Sequence, residues 1–239
     1  MNSEKLSYRL ETVTKYIPQD YKLADIGSDH AYLPCYVIQN GIVPWAVAGE
    51  VVEGPFQSAR RQVEEEGLTD KISVRKGDGL EVIKKGEVDC ITIAGMGGAL
   101  IASILEKGKD KLEHVKRLIL QPNISAISIR TWLLENGWGL IGEEIIEEDG
   151  KIYEILVAEK GKEKQAYHDD LEKGLLFGPF LLREHNPTFL KKWEGEKINW
   201  LTIAEKLEQA SDTVENRKKK EELMKKIKMA EEVLEDEKD

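Results

Sequence analysis

Apolar residues in the first two thirds of this 239-residue chain form short runs that alternate with helical patterns. Residues such as Leu6, Leu10 and Val13 have helical spacing and predict a helix over residues 3–17. Five apolar runs follow, separated by helical stretches or turns, and they predict strands over residues 22–26, 46–50, 72–75, 89–93 and 117–120.

Two later apolar runs, over residues 140–148 and 152–159, are separated by Asp149-Gly150. An Asp-Gly pair between two such runs is a strong hairpin signal. Regular alternation of strands and helices predicts an α/β fold with a doubly wound, Rossmann-like parallel sheet. The hairpin closes this sheet and adds an antiparallel strand, which distinguishes the fold from a plain dinucleotide-binding domain.

The pattern changes after about Gly161. Asn186-Pro187 predicts the start of a helix, and Ser211-Asp212 marks a break before a second one. Both helices carry apolar stripes at a spacing of three or four: Leu190, Trp193, Trp200, Ala204 and Leu207, then Leu223, Ile227, Ala230 and Leu234. We therefore predict a main domain over residues 1–160 and a small, partly coiled-coil-like α-helical domain over residues 161–239.

Composition favours a cytoplasmic protein. No apolar run is long enough to span a bilayer, and the first residues lack the apolar core of a signal peptide. Cys35 and Cys90 lie in apolar segments, which predicts reduced, buried thiols rather than a disulfide. The four histidines show no ligand spacing, so no metal site is expected.

Polar or glycine-rich residues follow the first four predicted strands. The groups are Asp25, Gly27, Ser28, Asp29 and His30 after the first, Glu50 after the second, Asp78 and Gly79 after the third, and Gly95 and Met96 after the fourth. In an open α/β sheet a ligand lies across these carboxyl ends. An acid after the second strand suits two ribose hydroxyls, and an acid after the third suits an adenine amino group.

The same acids indicate the charge of the ligand. Neither the dinucleotide fingerprint nor a P-loop occurs. The four acids Asp25, Asp29, Glu50 and Asp78 are expected to surround the site with no compensating Lys or Arg nearby in sequence. Such a site repels phosphate and accepts a cation, so S-adenosyl-L-methionine fits better than NAD or ATP. Taken singly, each acid has an alternative interpretation as a helix cap or turn residue.

Three segments together carry a specific resemblance: Ala24–Pro34, Ile93–Gly98 and Leu120–Asn123. With the closing hairpin, they resemble the bacterial TrmK family of class I S-adenosyl-L-methionine-dependent methyltransferases. The resemblance covers nearly the whole chain, although the C-terminal helices match only in character. It implies methylation of N1 of adenosine 22 in tRNA, and a cofactor site built from the ten strand-end residues named above.

The fourth strand end also bears on the chemistry. Many amino-methyltransferases of nucleic acids carry Asp/Asn-Pro-Pro-aromatic there, whereas this chain has Gly95-Met96-Gly97-Gly98. This departure argues against exocyclic N6 methylation and favours a ring nitrogen. Asn123 is the first candidate for orienting an adenine and Gln121 the second. Alternatively, residues 121–123 simply end the fifth strand and cap the helix at Ser125.

A local basic cluster makes RNA binding compatible with the formal net charge of -10. The candidate phosphate contacts are Arg9, Arg217, Lys218, Lys219, Lys220 and Lys225. A solvated helix face is the alternative for the lysine run. The expected partner is tRNA, with no membrane, and a monomer is favoured. The alternative functions are a small-molecule methyltransferase and a noncatalytic RNA-binding protein that retains the cofactor fold.

Overall fold

The computed structural model describes residues 5–161, 165–167, 170–209, 211 and 213–235. Its strands are β1 (Leu23–Ile26), β2 (Ala46–Glu50), β3 (Ile72–Lys76), β4 (Cys90–Gly97), β5 (Arg117–Ile124), β6 (Trp138–Glu148) and β7 (Lys151–Lys160). Its α-helices are α1 (Tyr8–Thr14), α2 (Tyr32–Gln39), α3 (Glu53–Glu65), α4 (Gly98–Lys107), α5 (Ala126–Glu135), α6 (Leu171–Phe177), α7 (Pro179–Glu184), α8 (Pro187–Gln209) and α9 (Val214–Glu235).

Within the described ranges, the strands form one seven-stranded sheet in the order β3-β2-β1-β4-β5-β7-β6. The neighbours from β3 to β5 are parallel, and β7 is antiparallel to both β5 and β6. The predicted fold class is thus confirmed. Because the strand order reverses between β1 and β4, their carboxyl ends border the crevice in which such sheets bind ligands.

Strands β4 and β5 are longer than the sequence predicts. Ala94 pairs with Gln121, Met96 with Pro122, and the ladder ends at Gly97 and Ile124 after two irregularities. Pro122 is tolerated because β7 pairs with β5 only as far as Leu120, which leaves that edge open. Residues 121–123 therefore continue the strand, and the alternative in which they end it and cap α5 is wrong.

Helix α1 is shorter than the predicted helix over residues 3–17. The Ser7 hydroxyl accepts a hydrogen bond from the Leu10 amide at 3.3 Å, which starts the helix at Tyr8. Leu6 and Ile17 lie beyond the two ends of the helix but are still buried. Residues 1–4 lie outside the described residues.

The chain divides into two compact units, residues 1–178 and residues 179–239. The predicted boundary at 160/161 falls before this division. The physical reason is that the Arg130 guanidinium donates to the carbonyls of Leu175 and Leu176, which ties α6 to the sheet-containing unit. The sequence pattern showed neither α6 nor α7.

In the second unit, α8 and α9 pack against each other and bury apolar residues of both helices. The Asn186 side chain accepts from the Phe189 amide at 3.0 Å, which confirms the predicted helix start. Ser211 lies between the two helices, as predicted, and Asp212 lies outside the described residues. The residues buried in this unit include Trp193, Ala204, Ile227 and Ala230.

Candidate functional site

The turn after β1 has an unusual backbone. Gly27 has a φ of 72°, and Asp29, His30 and Ala31 have φ values of 33°, 60° and 56°. A run of three non-glycine residues in the left-handed region costs on the order of 1–3 kcal/mol for each residue. The surrounding structure holds this conformation, in part because the Gly27 and Ser28 amides both donate to the Gly49 carbonyl. Such strain clusters at ligand sites.

Asp25 lies at the buried end of β1. Its two carboxylate oxygens accept from the hydroxyls of Ser28 and Thr92, each at 2.7 Å. Burial raises the pKa of Asp25 to about 6, the charge of Glu50 adds to this, and the two hydroxyls and Arg9 oppose it. Thr92 was missed by the sequence analysis, although a single threonine within the apolar run of β4 was a detectable signal.

Glu50 ends β2 and holds the same turn from the other side. Its Oε1 accepts from the Asp29 amide at 2.6 Å. Burial is the main cause that raises the pKa of Glu50, and the nearby charge of Asp29 adds to it. The structure therefore brings Asp25, Ser28, Asp29 and Glu50 together, as the sequence predicted.

Asp78 and Gly79 lie in a more open position after β3. The Asp78 side chain is 57% exposed, and Lys107 approaches it at 3.4 Å. Both residues line a cavity of about 160 Å³ whose other walls come from residues 80–81, the end of α4 and residues 108–111, rather than from the turns after β1 and β2. The expectation that no Lys or Arg lies near these acids is wrong for Asp78, because Lys107 contacts it in the fold and Lys76 stands two residues before it in the sequence.

The glycine-rich end of β4 meets the turn after β1. A Cβ atom on Gly27 would displace the methyl group at the end of the Met96 side chain, and the φ of 72° is the stronger reason for glycine at this position. Gly95 has a φ of 78°, and its amide and carbonyl both bond to side chains from β5. Gly95 and Met96 therefore join the site as predicted.

Gln121 and Asn123 form a small ring of hydrogen bonds with Gly95. The Gly95 amide donates to Gln121 Oε1 at 3.0 Å, and Asn123 Nδ2 donates to the Gly95 carbonyl at 2.8 Å. Gln121 is fully buried, whereas Asn123 is exposed. Asn123 is thus accessible to a substrate, whereas Gln121 contacts only its neighbours in the fold.

His30 stacks on Tyr32, with ring centroids 5.2 Å apart and ring planes inclined by 8°. Its Nε2 lies 3.6 Å from Asp29, and the side chain is half exposed. This flat aromatic pair at the start of α2 is well placed for contact with a planar ligand.

Arg9 is not on an open surface. Its Nη1 donates to Gln121 Oε1 at 2.5 Å, and its guanidinium lies over the Tyr153 ring at 5.4 Å. Tyr153 was missed by the sequence analysis, which had no signal for it because β7 meets α1 only in the folded chain.

The remaining candidate RNA contacts lie in the second unit, on α9. Arg217, Lys218, Lys219 and Lys225 are exposed, and Lys220 pairs with Glu208 at 2.6 Å. Among the residues that the structure describes, no group of three or more His, Cys, Asp or Glu side chains could hold a metal ion. Cys35 and Cys90 are free and buried. In the same described part of the chain, no helix is long and apolar enough to cross a membrane.

Known proteins resemble this chain over nearly its whole length. The tRNA (adenine(22)-N(1))-methyltransferase of Bacillus subtilis is 57% identical over 235 residues, which are 98% of this chain and 99% of that protein. The crystal structure of B. subtilis TrmK superposes with a TM-score of 0.93 at 57% identity, over 97% of this chain and 99% of that one. Streptococcus pneumoniae Sp1610, solved in complex with S-adenosyl-L-methionine, has a TM-score of 0.82 at 45% identity, over 96% of this chain and 100% of that one.

A sequence model of one family also matches, over residues 23–232. That range includes every strand of the sheet, the turns that carry the acids, and most of α9. The chain therefore belongs to the TrmK family, described as tRNA (adenine(22)-N(1))-methyltransferase.

Proposed function

We propose that this protein methylates N1 of adenosine 22 in tRNA, with S-adenosyl-L-methionine as the methyl donor. The observation that carries the proposal is the 57% identity, over 98% of the chain, to the B. subtilis enzyme with this activity. The complex of Sp1610 with S-adenosyl-L-methionine supports the choice of donor. A tRNA substrate also favours a cytoplasmic location.

The residues after β1 and β2 fit an adenosine cofactor with a cationic end. The Glu50 carboxylate accepts from the backbone amides of Asp29 and Val51 and, with two oxygens, can also accept from a ribose hydroxyl. The strained turn follows Asp25 and includes Ser28, which bonds to Asp25, and His30. Gly27 in the same turn leaves room where a Cβ would overlap Met96. We assign the adenine side to Asp78 and Gly79, and the methionine side to Gly95 and Met96.

The reaction needs little acid–base chemistry. When bound, the cofactor supplies an electrophilic methyl group on a sulfonium. Adenine N1 has a free in-plane lone pair, so it forms the N–C bond as the C–S bond breaks and loses no proton beforehand. The positive charge passes from sulfur to the adenine ring. The chain therefore has to orient the base, exclude water and supply acceptors for the charged product.

Asn123 is our candidate for this contact. It is exposed beside Gly95, and its Nδ2 is held by the Gly95 carbonyl. The side-chain oxygen, which Gln121 Nε2 approaches at 3.5 Å, has a second lone pair that can accept from the exocyclic amine of adenine. That amine becomes a stronger donor as positive charge develops on the ring, so this hydrogen bond stabilises the transition state more than the ground state.

The helical unit over residues 179–239 supplies the candidate phosphate contacts. The exposed cations of α9 carry the charge that a tRNA backbone requires, although glutamates of the same helix weaken it. N1 lies on the Watson–Crick edge, so a paired target has to be unpaired first, at a cost of about a few kcal/mol.

The activity is tested with unmodified tRNA transcripts and methyl-labelled cofactor. We expect label in 1-methyladenosine for a transcript with adenosine at position 22 and none when guanosine replaces it. Label in N6-methyladenosine, or none at all, contradicts the proposal. Transfer to a small molecule without tRNA supports the first alternative, and failure to bind the cofactor in calorimetry supports the noncatalytic one.

The phosphate contacts are tested by the salt dependence of tRNA binding. We expect Lys218→Ala to weaken binding about twofold to fivefold and to reduce the slope of log affinity against log salt by about one. Lys151→Ala, in the other unit, is the matched control. An unchanged slope for Lys218→Ala removes that residue from the proposed interface.

A further inference from the structure

We propose that Arg9 is a positioning residue for the acceptor adenine that acts through Gln121, and not the phosphate contact that its charge suggests. The inference rests on the proposed function and assigns a role within that site. It begins from an arginine on α1 that bonds to a fully buried glutamine of β5, more than 100 positions away in sequence.

Arg9 is held on several sides. Its own amide donates to Glu148 Oε2 at 3.3 Å, which fixes the start of α1 on the end of β6. Its guanidinium lies over the ring of Tyr153 on β7, 5.4 Å from the centroid. The third contact is the hydrogen bond from Nη1 to Gln121 Oε1. A side chain that is restrained in this way is suited to orient a neighbour.

The contact selects one orientation of the Gln121 amide. Oε1 accepts from two donors, Arg9 Nη1 and the Gly95 amide, so the oxygen has to face them. Nε2 then points the other way, to the Pro122 carbonyl at 2.8 Å and towards Asn123 Oδ1 at 3.5 Å. A rotation of this amide by 180° would place two donors against the Gly95 N–H and the guanidinium.

The orientation of the Gln121 amide also fixes the orientation of Asn123, the residue proposed to contact adenine. Asn123 Oδ1 lies on the side of Gln121 Nε2, and Asn123 Nδ2 donates to the Gly95 carbonyl. The ring Gly95–Gln121–Asn123 therefore has a single consistent pattern of donors and acceptors, and Arg9 is the charged donor that favours it. Loss of Arg9 would leave Gln121 free to turn and Asn123 without a fixed acceptor direction.

The two roles of Arg9 predict different changes in kinetics. A phosphate contact contributes to tRNA affinity and to its salt dependence. A positioning residue contributes to the rate of methyl transfer at saturating tRNA, because a displacement of about 1 Å in the acceptor can cost about a hundredfold in rate.

The test uses Arg9→Met and Arg9→Lys in the full chain, with single-turnover rates at saturating tRNA and cofactor and with tRNA affinity at several salt concentrations. We expect the rate to fall about tenfold to a hundredfold for Arg9→Met and about tenfold for Arg9→Lys. The tRNA dissociation constant and its salt slope stay within about twofold of the wild type. Lys keeps the charge but lacks the planar guanidinium, so a phosphate contact would survive this substitution.

Two further variants isolate the route through Gln121. Arg9→Met combined with Gln121→Met should be no slower than Gln121→Met alone, because both changes remove the same contact. Arg60→Met, an exposed arginine of α3, is the control that leaves rate and affinity unchanged. Unfolding midpoints and cofactor affinity identify a variant that fails to fold; if Arg9→Met does so, Arg9→Lys decides the question.

The role of Arg9 is overturned if Arg9→Met and Gln121→Met reduce the rate independently, so that their effects multiply in the double variant. It is also overturned if Arg9→Met weakens tRNA binding and leaves the rate unchanged. These results leave the proposed function intact, since the wild-type protein still methylates tRNA. A wild-type protein that does not methylate tRNA overturns both.

Discussion

Asp25 and Arg130 are both buried charges of the sheet-containing unit, but their surroundings differ. Asp25 is held by two hydroxyl groups, from Ser28 and Thr92, and the charge of Arg9 acts on it more weakly than burial does. Arg130, on α5, is fully buried against two carboxylates. We call these residues and their partners the Asp25 cluster and the Arg130 cluster.

The Arg130 cluster satisfies its own charge. The guanidinium pairs with Glu143 at 2.6 Å and also with Glu154, and it donates to the carbonyls of Leu175 and Leu176. Burial alone would lower the pKa of Arg130, but the charges of the two glutamates outweigh this effect and raise it. The charge of Arg130 is therefore balanced by groups within the cluster, and the cluster has a structural role.

The Asp25 cluster compensates its charge only in part, since the charge of Arg9 lowers the pKa of Asp25 less than burial raises it. Burial raises the pKa of Asp25 to about 6, which means that the ionised form is disfavoured in the folded protein. A cationic ligand at this edge of the sheet would supply the missing charge. Incomplete compensation thus distinguishes a binding site from a structural ion cluster in the same unit.

The largest expected effect comes from breaking the Arg130 cluster. Arg130→Met leaves Glu143 and Glu154 buried without a cation, which should lower the free energy of unfolding by about 3–5 kcal/mol. Urea denaturation measures the change. The triple variant with Glu143→Leu and Glu154→Leu should recover most of the loss, since an apolar cluster carries no buried charge. A fully stable Arg130→Met protein contradicts the structural role.

Asp25→Asn should have the opposite effect on stability. It removes a carboxylate whose ionisation disfavours the folded state, so the free energy of unfolding at pH 8 should rise by up to about 3 kcal/mol. Affinity for S-adenosyl-L-methionine in calorimetry should fall on the order of a hundredfold, because the charge-assisted contact is lost. Loss of stability together with unchanged affinity would place Asp25 with the structural charges.

Gly178 tests how tightly the Arg130 cluster is packed. It has a φ of 94°, and a Cβ there would lie 2.5 Å from Arg130 Nη2 and 2.8 Å from the Glu143 oxygens. Gly178→Ala should cost about 2–3 kcal/mol from backbone strain and overlap. Gly137→Ala is the matched control, with a φ of 72° and open space around it, and should cost only about 1 kcal/mol. Equal losses in thermal unfolding would show that the cluster can move aside.

The smallest expected effect is a pH dependence of stability and of cofactor affinity, which comes from the Asp25 cluster and not from the Arg130 cluster. Because the pKa of Asp25 is raised from 3.8 to about 6 in the folded protein, its contribution to stability is present below pH 3.8 and is lost as the pH rises through 6. Cofactor affinity should change in the other direction, falling up to about tenfold per unit as the pH drops below 6. Glu50, whose pKa burial also raises, adds to this dependence. Calorimetry between pH 5 and 8 checks it, and Asp25→Asn should flatten most of the curve.

The sequence alone determined the order of the strands and helices from α1 to β7, the pair of long helices α8 and α9, and the turns that carry Asp25, Glu50 and Asp78. These features depend on residues close in sequence, through apolar spacing and through turn chemistry at strand ends. The segments containing Asp25, Gly95 and Gln121 also resemble the family to which the chain belongs, and their position at strand ends indicates a ligand site.

Only the tertiary structure decided which side chains meet across long distances in the chain. Arg9 bonds to Gln121, and Arg130 contacts glutamates on two strands and carbonyls of α6, which moves the end of the first unit to Gly178. Residues 121–124 extend β5 because β4 continues beside them. Such contacts join residues that are far apart in the sequence and belong to no common hydrophobic pattern. They orient side chains and shift pKa values only once the chain is folded.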